Sequence, residues 1–132
     1  MMFDIDKLIT HLNAGLFSHL VVTGSERNLE KFQTGLKQKL ESEGKSTCEL
    51  QCTTEDIKLN QNEKVDLLFV KGLENLPVQH ANTYAIRAFL DAGTYNDLRS
   101  IIFCETGHYA KHFNDYDAPF YKFCLQYPIS DD

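Results

Sequence analysis

Residues 19–40, HLVVTGSERNLEKFQTGLKQKL, decide the fold. Residues 20–22 form a continuous apolar run, which is typical of a strand buried on both faces. After the turn at Gly24, apolar residues recur at helical spacing, namely Leu29, Phe32, Leu36 and Leu40. We therefore predict a strand over residues 16–23, a turn at Gly24 and an amphipathic helix that ends at Gly44.

The turn at Gly24 has the shape of a phosphate-binding loop without its charge. In such a loop, G-x-x-x-x-G-K-[ST], the glycines let backbone N–H groups close on the phosphates and the lysine supplies positive charge. Here Leu29, Glu30 and Lys31 occupy the positions of the second glycine, the lysine and the hydroxyl residue. A carboxylate at the lysine position would repel a triphosphate.

The start of the following helix keeps one property of an anion site. Residues Ser25, Glu26, Arg27 and Asn28 lie at the helix N-terminus, where backbone donors and the helix dipole favour an anion. However, Glu26 and Glu30 already place negative charge there. We therefore interpret Gly24 and these four residues as a vestigial phosphate loop and expect no bound cofactor.

The composition fits one globular domain and argues against two kinds of partner. The chain has 132 residues and a net charge of -6, and we expect a single domain over residues 1–132. Lys and Arg are scattered, so direct nucleic-acid binding is not expected. No apolar run approaches the roughly 20 residues that cross a bilayer, and the N-terminus does not resemble a secretory signal. We expect a cytoplasmic protein whose four cysteines are reduced.

Strand and helix patterns alternate along the rest of the chain. Pro77 opens a helix whose core face is predicted to be Ala81, Ala85, Ile86, Phe89 and Leu90. The alternation predicts an α/β fold, a three-layer sandwich with a mostly parallel five-stranded sheet. The expected helices cover residues 3–13, 25–43, 78–92 and 106–113, and the expected strands cover residues 16–23, 46–52, 65–71, 99–104 and 121–127.

This order of elements resembles the α/β core of an AAA+ ATPase, a P-loop NTPase. The resemblance covers roughly residues 16–128 and is closest to the bacterial sigma-54 activators, whose second motif reads approximately LFLDEIENLP. The matching segments are LLFVKGLENLP at 67–77, IRAFL at 86–90 and RSIIFCE at 99–105.

The departures from the family fall on its chemistry. The magnesium-binding Asp and the water-activating Glu of the second motif, Walker B, correspond to Lys71 and Gly72. A lysine would repel Mg²⁺, and a glycine offers no base. The sensor position falls near Glu105 or Thr106, and neither the GAFTGA loop nor the helical lid is recognised. We therefore expect a pseudo-ATPase that does not hydrolyse ATP.

The resemblance implies a non-catalytic AAA+-like domain that acts through protein–protein interaction or self-association in bacterial transcription regulation. Two other functions remain open. One is a non-hydrolysing subunit of a clamp-loader-like replication assembly. The other is a nucleotide or small-molecule sensor, which would bind its ligand without hydrolysis.

Two further groups of residues can be interpreted either as a binding site or as ordinary structure. Glu105, His108 and His112 lie at i, i+3 and i+7, so a continuous helix would bring them to one face, and such groups can bind a metal. We favour a solvated segment with two ordinary histidines and expect no metal. The aromatic segment FNDYDAPFY at 113–121 is expected mainly to pack in the core, with an exposed partner-binding patch as the alternative.

The cysteines do not form a recognisable catalytic or metal-binding pattern. Cys48 and Cys52 lack the CxxC spacing of a zinc or redox pair. Cys104 and Cys124 lie in apolar strand-like runs, where a reactive thiolate is disfavoured. We therefore expect all four cysteines to be inert thiols.

Overall fold

The computed structural model describes residues 5–57, 59, 65–94 and 97–129. Five parallel strands form one sheet in the order β2-β3-β4-β1-β5. The strands are β1 (His19–Gly24), β2 (Thr47–Gln51), β3 (Leu67–Lys71), β4 (Ser100–Glu105) and β5 (Leu125–Pro128). The helices are α1 (Ile5–Asn13), α2 (Glu26–Ser42), α3 (Ala81–Thr94) and α4 (Thr106–Tyr109). A 3₁₀ turn covers Leu73–Asn75, and a π-helical turn covers Ala110–Asn114.

The sheet confirms the predicted α/β class with a parallel sheet between two helical layers. Strand β1 lies inside the sheet, with β4 on one side and β5 on the other, in the register Leu20↔Ile101 and Leu20↔Leu125. Burial of all six β1 residues explains why its sequence is continuously apolar rather than alternating. The arrangement is consistent with a Rossmann-like or P-loop-like fold.

The first face of the sheet is covered by α1 and α2. The predicted core positions of α2 are all buried, and Phe32, Leu36 and Leu40 are fully inaccessible. They pack with side chains of α1, β1, β3 and β4 in one core cluster. The helix begins at the N-cap Ser25 and ends before Gly44, whose φ of +75° places it in the left-handed region.

The second face of the sheet packs against α3 and the segment that follows α4. Ile86 and Leu90 of α3 are fully buried, as are Ile102 and Cys104 of β4 and Phe120 of the C-terminal segment. The two clusters use alternate residues of β3 and β4, as expected for strands with both faces covered.

The predicted boundaries and core face of the third helix were partly wrong. The helix begins at Ala81 rather than at residue 78, because the His80 ring accepts the N–H of Asn82 and the Thr83 hydroxyl donates to the Pro77 carbonyl. Ala81 and Ala85 are exposed, and Phe89 is half-buried. Thr83 and Gly93 are buried in addition to the correctly predicted Ile86 and Leu90.

The last strand also differs from the prediction. It covers Leu125–Pro128 rather than residues 121–127, because residues 121–124 form a turn in which Lys122 has a φ of +54°. Pro128 does not stop the strand but pairs in register with Thr23. A proline is tolerated there because β5 is an edge strand and needs no N–H donor on its outer side. Residues 3 and 4 of the first expected helix, and residues 58 and 60–64 of the β2–β3 connection, lie outside the described residues.

Within the described parts of the chain, no helix is both long enough and apolar enough to cross a membrane.

Candidate site at the carboxyl edge of the sheet

The carboxyl ends of β3, β4 and β1 lie side by side, because these parallel strands are neighbours in the sheet. Open α/β sheets bind their ligands outside the carboxyl ends of the strands. We call this part of the molecule the carboxyl edge. It contains both vestigial motifs predicted from the sequence, and Gly24 at the end of β1 pairs with Glu105 at the end of β4.

The turn that resembled a phosphate loop is very short. Gly24 is the last residue of β1, and Ser25 alone separates it from α2. Ser25 is the N-cap residue, and its hydroxyl accepts the backbone N–H of Asn28 at 3.3 Å. The capping side chain thus takes one of the donors that a phosphate loop would offer to an anion.

The charged residues at the start of α2 point to solvent. Glu26 and Arg27 are both exposed, and Glu26 lies in the first turn of the helix. A carboxylate in the first turn is stabilised by the helix dipole and weakens the attraction of that terminus for an external anion. Residues 24–28, the predicted vestigial loop, therefore lie next to one another at the start of α2. Their charges and hydrogen bonds are those of a capped helix N-terminus.

The residues at the Walker B positions have separate structural roles. Lys71 ends β3 and lines a polar groove of about 430 Å³ between α2 and the β2 side of the sheet. The same groove contains Glu30 and Glu49, and Glu49 accepts a hydrogen bond from Gln33 at 2.8 Å. Lys71 therefore belongs to the first face of the sheet.

Gly72 is required by the backbone path after β3. Its φ of +80° lies in the left-handed region, and an added Cβ would collide with the side-chain amide of Gln51. The turn that it permits begins the 3₁₀ segment and carries Glu74 to the carboxyl edge. A glycine at this position therefore has a structural explanation that is independent of any lost catalytic base.

Glu74 is the residue of this edge that sequence reasoning missed. It is half-buried, and its Oε2 atom is buried without a hydrogen-bond partner. Burial raises the pKa of the Glu74 carboxyl, a hydrogen bond from the Glu74 backbone lowers it, and among the nearby charges Glu105 and Glu26 raise it whereas His108 lowers it. Glu74 lies in the matched segment LENLP, but identity with a motif does not indicate which way a carboxylate points.

We call Glu26, Glu74 and Glu105 the glutamate cluster. They come from the start of α2, the turn after β3 and the end of β4, so residues far apart in sequence meet at one edge. Mutual repulsion among carboxylates disfavours their simultaneous ionisation. The cluster places negative charge at the carboxyl ends of the strands, where open α/β sheets bind their ligands.

The Glu105, His108 and His112 constellation does not lie on one continuous helix. Glu105 is the last residue of β4, His108 lies in α4, and His112 lies in the π-helical turn. His108 is half-buried rather than a surface residue, and His112 is completely buried. Among residues 5–57, 59, 65–94 and 97–129, no group of three or more His, Cys, Asp or Glu side chains is arranged to hold a metal ion.

His112 is the most unusual polar side chain of the edge. Within the described residues neither ring nitrogen meets full hydrogen-bond geometry, and the ring lies beside the backbone carbonyl of Leu76. Burial lowers the pKa of His112 to about 4, with smaller contributions from the charges of Lys111 and His108. The carbonyl of Leu76, two residues after Glu74, opposes this shift. The ring is therefore neutral at pH 7, and it lies close to the turn that carries Glu74.

The buried cysteines are protonated thiols at neutral pH and therefore poor nucleophiles. Burial, with a smaller contribution from the charge of Glu74, raises the pKa of both Cys52 and Cys104 to about 12. Burial also raises the pKa of Cys124 to about 12. All four cysteines are free thiols. Because the thiolate is the nucleophile, these pKa values are consistent with the predicted inertness of Cys104 and Cys124.

A second buried polar network lies at the opposite, amino edge of the sheet. The ring of His19 contacts the hydroxyls of Ser100 and Thr94, each at 2.7 Å. Thr94 donates its own proton to the Leu90 carbonyl, so it accepts from Nε2–H of His19, and Ser100 donates to Nδ1. This arrangement satisfies both ring nitrogens, and Phe123 stacks on the ring at 4.9 Å. The network explains a buried histidine that carried no pattern in the sequence.

The aromatic segment 113–121 divides between core and surface. Phe113 and Phe120 are buried and tilt against each other at 5.6 Å, which agrees with the expected core packing. Tyr116 is 82% exposed and meets Tyr121 edge to face. Of the aromatic residues in this segment, Tyr116 is therefore the strongly exposed one, and the alternative of an exposed partner-binding patch rests on it.

Comparison with known proteins adds no relative. No protein-family model matches the chain, and no curated protein is significantly similar to it. Function must therefore be argued from the geometry of the carboxyl edge.

The carboxyl edge is equipped to repel anions and to attract cations. Its closed helix cap removes a donor from the phosphate position, and the glutamate cluster supplies negative charge.

Proposed function

We propose that this chain is a non-catalytic, AAA+-like (pseudo-ATPase) domain that acts through protein–protein interaction in bacterial transcription regulation. The observation that carries the proposal is the path from β1 to α2, in which Ser25 alone separates strand and helix and caps the helix with its own hydroxyl. A nucleotide triphosphate bound here would lack a surrounding loop and would meet the glutamate cluster instead. The resemblance to sigma-54 activators supplies the transcriptional context.

The strand order supports the AAA+-like part of the proposal. A sensor that responds to a terminal phosphate must lie beside both the strand that enters the phosphate loop and the strand that carries the metal ligand. Strand β4, the sensor strand of the resemblance, lies between β1 and β3. In the Rossmann and flavodoxin-like orders β1 pairs with β2, whereas here the two strands are separated by β3 and β4.

The first experiment is a thermal-shift titration with ATP, ADP and cyclic dinucleotides, with and without Mg²⁺. A ligand that binds only the folded state raises its stability by mass action, and we expect no shift at millimolar nucleotide. A shift that requires Mg²⁺ would refute the pseudo-ATPase proposal. A shift that is indifferent to Mg²⁺ and disappears in Arg27→Gln would instead favour a nucleotide sensor that binds at the start of α2.

The interaction part of the proposal is tested by sedimentation velocity over a range of protein concentrations. We expect concentration-dependent association of the chain, since the proposed mode of action is contact between proteins. Tyr116→Ser removes the exposed aromatic side chain with little effect on the core, because Tyr116 is 82% exposed. Loss of association in this variant would place the contact on the C-terminal segment. A chain that stays monomeric and has no binding partner in cross-linking experiments would contradict the proposal.

A further inference from the structure

The two outer strands of the sheet differ in what they offer to a neighbouring strand. Among the described residues, β2 and β5 each pair on one side only. Backbone N–H and C=O groups of successive strand residues point to opposite sides. The Ile129 N–H donates to the Thr23 carbonyl, so Gln126 and Pro128 face outward. Because proline has no N–H, the outer side of β5 is largely blocked for strand pairing.

The outer edge of β2 has no such block. The Cys52 N–H donates to the Lys71 carbonyl, so the even-numbered residues of this strand face β3. The odd-numbered residues present their N–H and C=O groups to the outer side, namely Thr47, Glu49 and Gln51. Within the described residues, these outward groups have no hydrogen bond except a 3.9 Å contact of the Cys48 thiol with the Glu49 carbonyl. Such a row of unpaired groups is a template for a further strand.

The two faces of β2 differ in character beside this edge. On the first face, Glu49 accepts a hydrogen bond from Gln33 and lines the polar groove. Carboxylates outnumber lysines among the charged residues of that groove, namely Glu30, Glu41, Glu49, Lys37 and Lys71. On the second face, Cys48 and Leu50 are half-buried at the margin of the second core cluster. An apolar side chain placed beside them would complete their burial.

We propose that the outer edge of β2 binds an extended segment of a protein partner as an additional strand of the sheet. Strand addition gains affinity from main-chain hydrogen bonds and specificity from alternate side chains. The segment has basic side chains that alternate with apolar ones, because successive residues meet the polar groove and the apolar margin in turn. This contact would serve the protein–protein interaction proposed above and rests on that proposed function.

A second copy of this chain is a less suitable occupant of the edge. If two β2 strands overlap antiparallel over their whole length, Thr47 lies opposite Gln51, and the two copies of Glu49 lie opposite each other. Like charges in directly opposite positions destabilise a strand pair. A basic residue at the central position would instead attract Glu49. A segment of different sequence therefore fits the edge better than β2 itself.

Amide hydrogen exchange of the free protein tests whether the edge is open. We expect fast exchange of the outward N–H groups of Glu49 and Gln51, and slow exchange of the inward N–H groups of Cys48 and Leu50. Slow exchange at Glu49 and Gln51 in dilute protein would mean that the chain covers its own edge, and the proposal would fall. Protection that appears only as the protein concentration rises would overturn it in favour of pairing between two copies.

The binding test uses the full chain and a short, end-capped peptide of alternating lysine and valine. At saturation this peptide should slow exchange at Glu49 and Gln51 by about tenfold or more. A peptide of the same composition with its lysines in one block and its valines in another should bind more weakly, because it lacks the alternation. Equal affinities of the two peptides, or unchanged exchange at Glu49 and Gln51, would overturn the proposal.

Methylated peptides test the main-chain hydrogen bonds directly. The direction of the N–H group and the face of the side chain alternate together along a strand. N-methylation of all lysines, or of all valines, therefore removes every donor on one side of the peptide. One of these two peptides should lose binding and the other should keep it. Binding that is kept by both, or lost equally by both, would overturn the proposal.

Variants of the chain separate the edge from general electrostatic attraction. Glu49→Gln keeps an acceptor for Gln33 and should weaken binding of the alternating peptide about two- to fivefold. Asp117→Asn makes the same change in net charge at an exposed position of the C-terminal segment and should leave the affinity unchanged. Equal losses in the two variants, or no loss in Glu49→Gln, would overturn the charge pairing in the proposal. None of these outcomes depends on nucleotide binding, so failure of the pseudo-ATPase proposal would be distinguishable.

Discussion

Acid should destabilise this protein through His112, and His112→Leu should remove that sensitivity. The ring is completely buried, and burial lowers the pKa of His112 from 6.5 to about 4. The folded state therefore binds the proton more weakly than the unfolded state does. As far as His112 is concerned, the free energy of unfolding is therefore at its full value above pH 6.5, and it decreases as the pH falls from 6.5 towards 4.

The size of the effect follows from the shift in pKa. Each pKa unit corresponds to about 1.36 kcal/mol, so the shift from 6.5 to about 4 lowers the free energy of unfolding by roughly 3 kcal/mol. Leucine has a similar volume and no ring nitrogens to desolvate. At pH 7 we therefore expect His112→Leu to be as stable as the original chain or more stable, since an unpartnered buried polar group is removed.

The assay is urea denaturation followed by far-ultraviolet circular dichroism at a series of pH values from neutral to 4. Other groups also titrate: burial lowers the pKa of His19 and raises that of Glu74. Their contributions cancel when the two proteins are compared at each pH. His11→Gln, which removes a histidine of α1, serves as a control and should keep the full acid sensitivity.

Parallel pH profiles for the original chain and His112→Leu would refute the reasoning. So would an NMR titration that places the pKa of His112 in the folded protein at or above 6.5. Either result would mean that the ring nitrogens have partners or that water reaches them.

Three further substitutions test how the fold builds the carboxyl edge. Gly72→Ala should cost about 1–3 kcal/mol in urea denaturation, since a φ of +80° is strained for a residue with a Cβ, whereas the Gln51 amide that the new Cβ would meet ends a flexible side chain and can move aside. Ser25→Ala should cost about 1 kcal/mol by removing the cap of α2, whereas Ser25→Asp should keep most of it. Phe32→Ala should cost about 3–5 kcal/mol in the core, and the half-buried Phe89→Ala should cost less. Equal losses of stability in the two phenylalanine variants would contradict the core position of Phe32. An unchanged stability of Gly72→Ala would contradict the role given to its backbone. A loss in Ser25→Asp as large as that in Ser25→Ala would contradict the cap at Ser25.

The layers of the fold could be predicted from the sequence because buried faces require apolar residues at the spacing of a strand or a helix. Residues 20–22 were continuously apolar because β1 has neighbours on both sides and helices on both faces. The apolar positions of α2 recurred at helical spacing because the helix covers the sheet with one side. The α3 prediction was weaker because alanine is compatible with either environment, and Ala81 and Ala85 lie on the exposed side.

The candidate site was less predictable because it depends on turns and on partners distant in sequence. Glu74 stands two residues after a glycine whose left-handed backbone redirects the chain. Its pKa is raised first by burial and then by the charges of Glu105 and Glu26, which lie far away along the chain. A motif comparison also cannot reveal that His112 is buried, since one turn of π-helix changes the face on which a residue lies.

The two residues whose charges are opposite to those of the resembled AAA+ motifs lie in the same part of the structure. Glu30, at the position of the loop lysine, and Lys71, at the position of the metal ligand, line the same polar groove. Opposite charges that share a groove attract each other, so reversing both signs costs less than reversing either alone. Glu74 differs from both residues, because burial raises its pKa while a backbone hydrogen bond and the charge of His108 lower it.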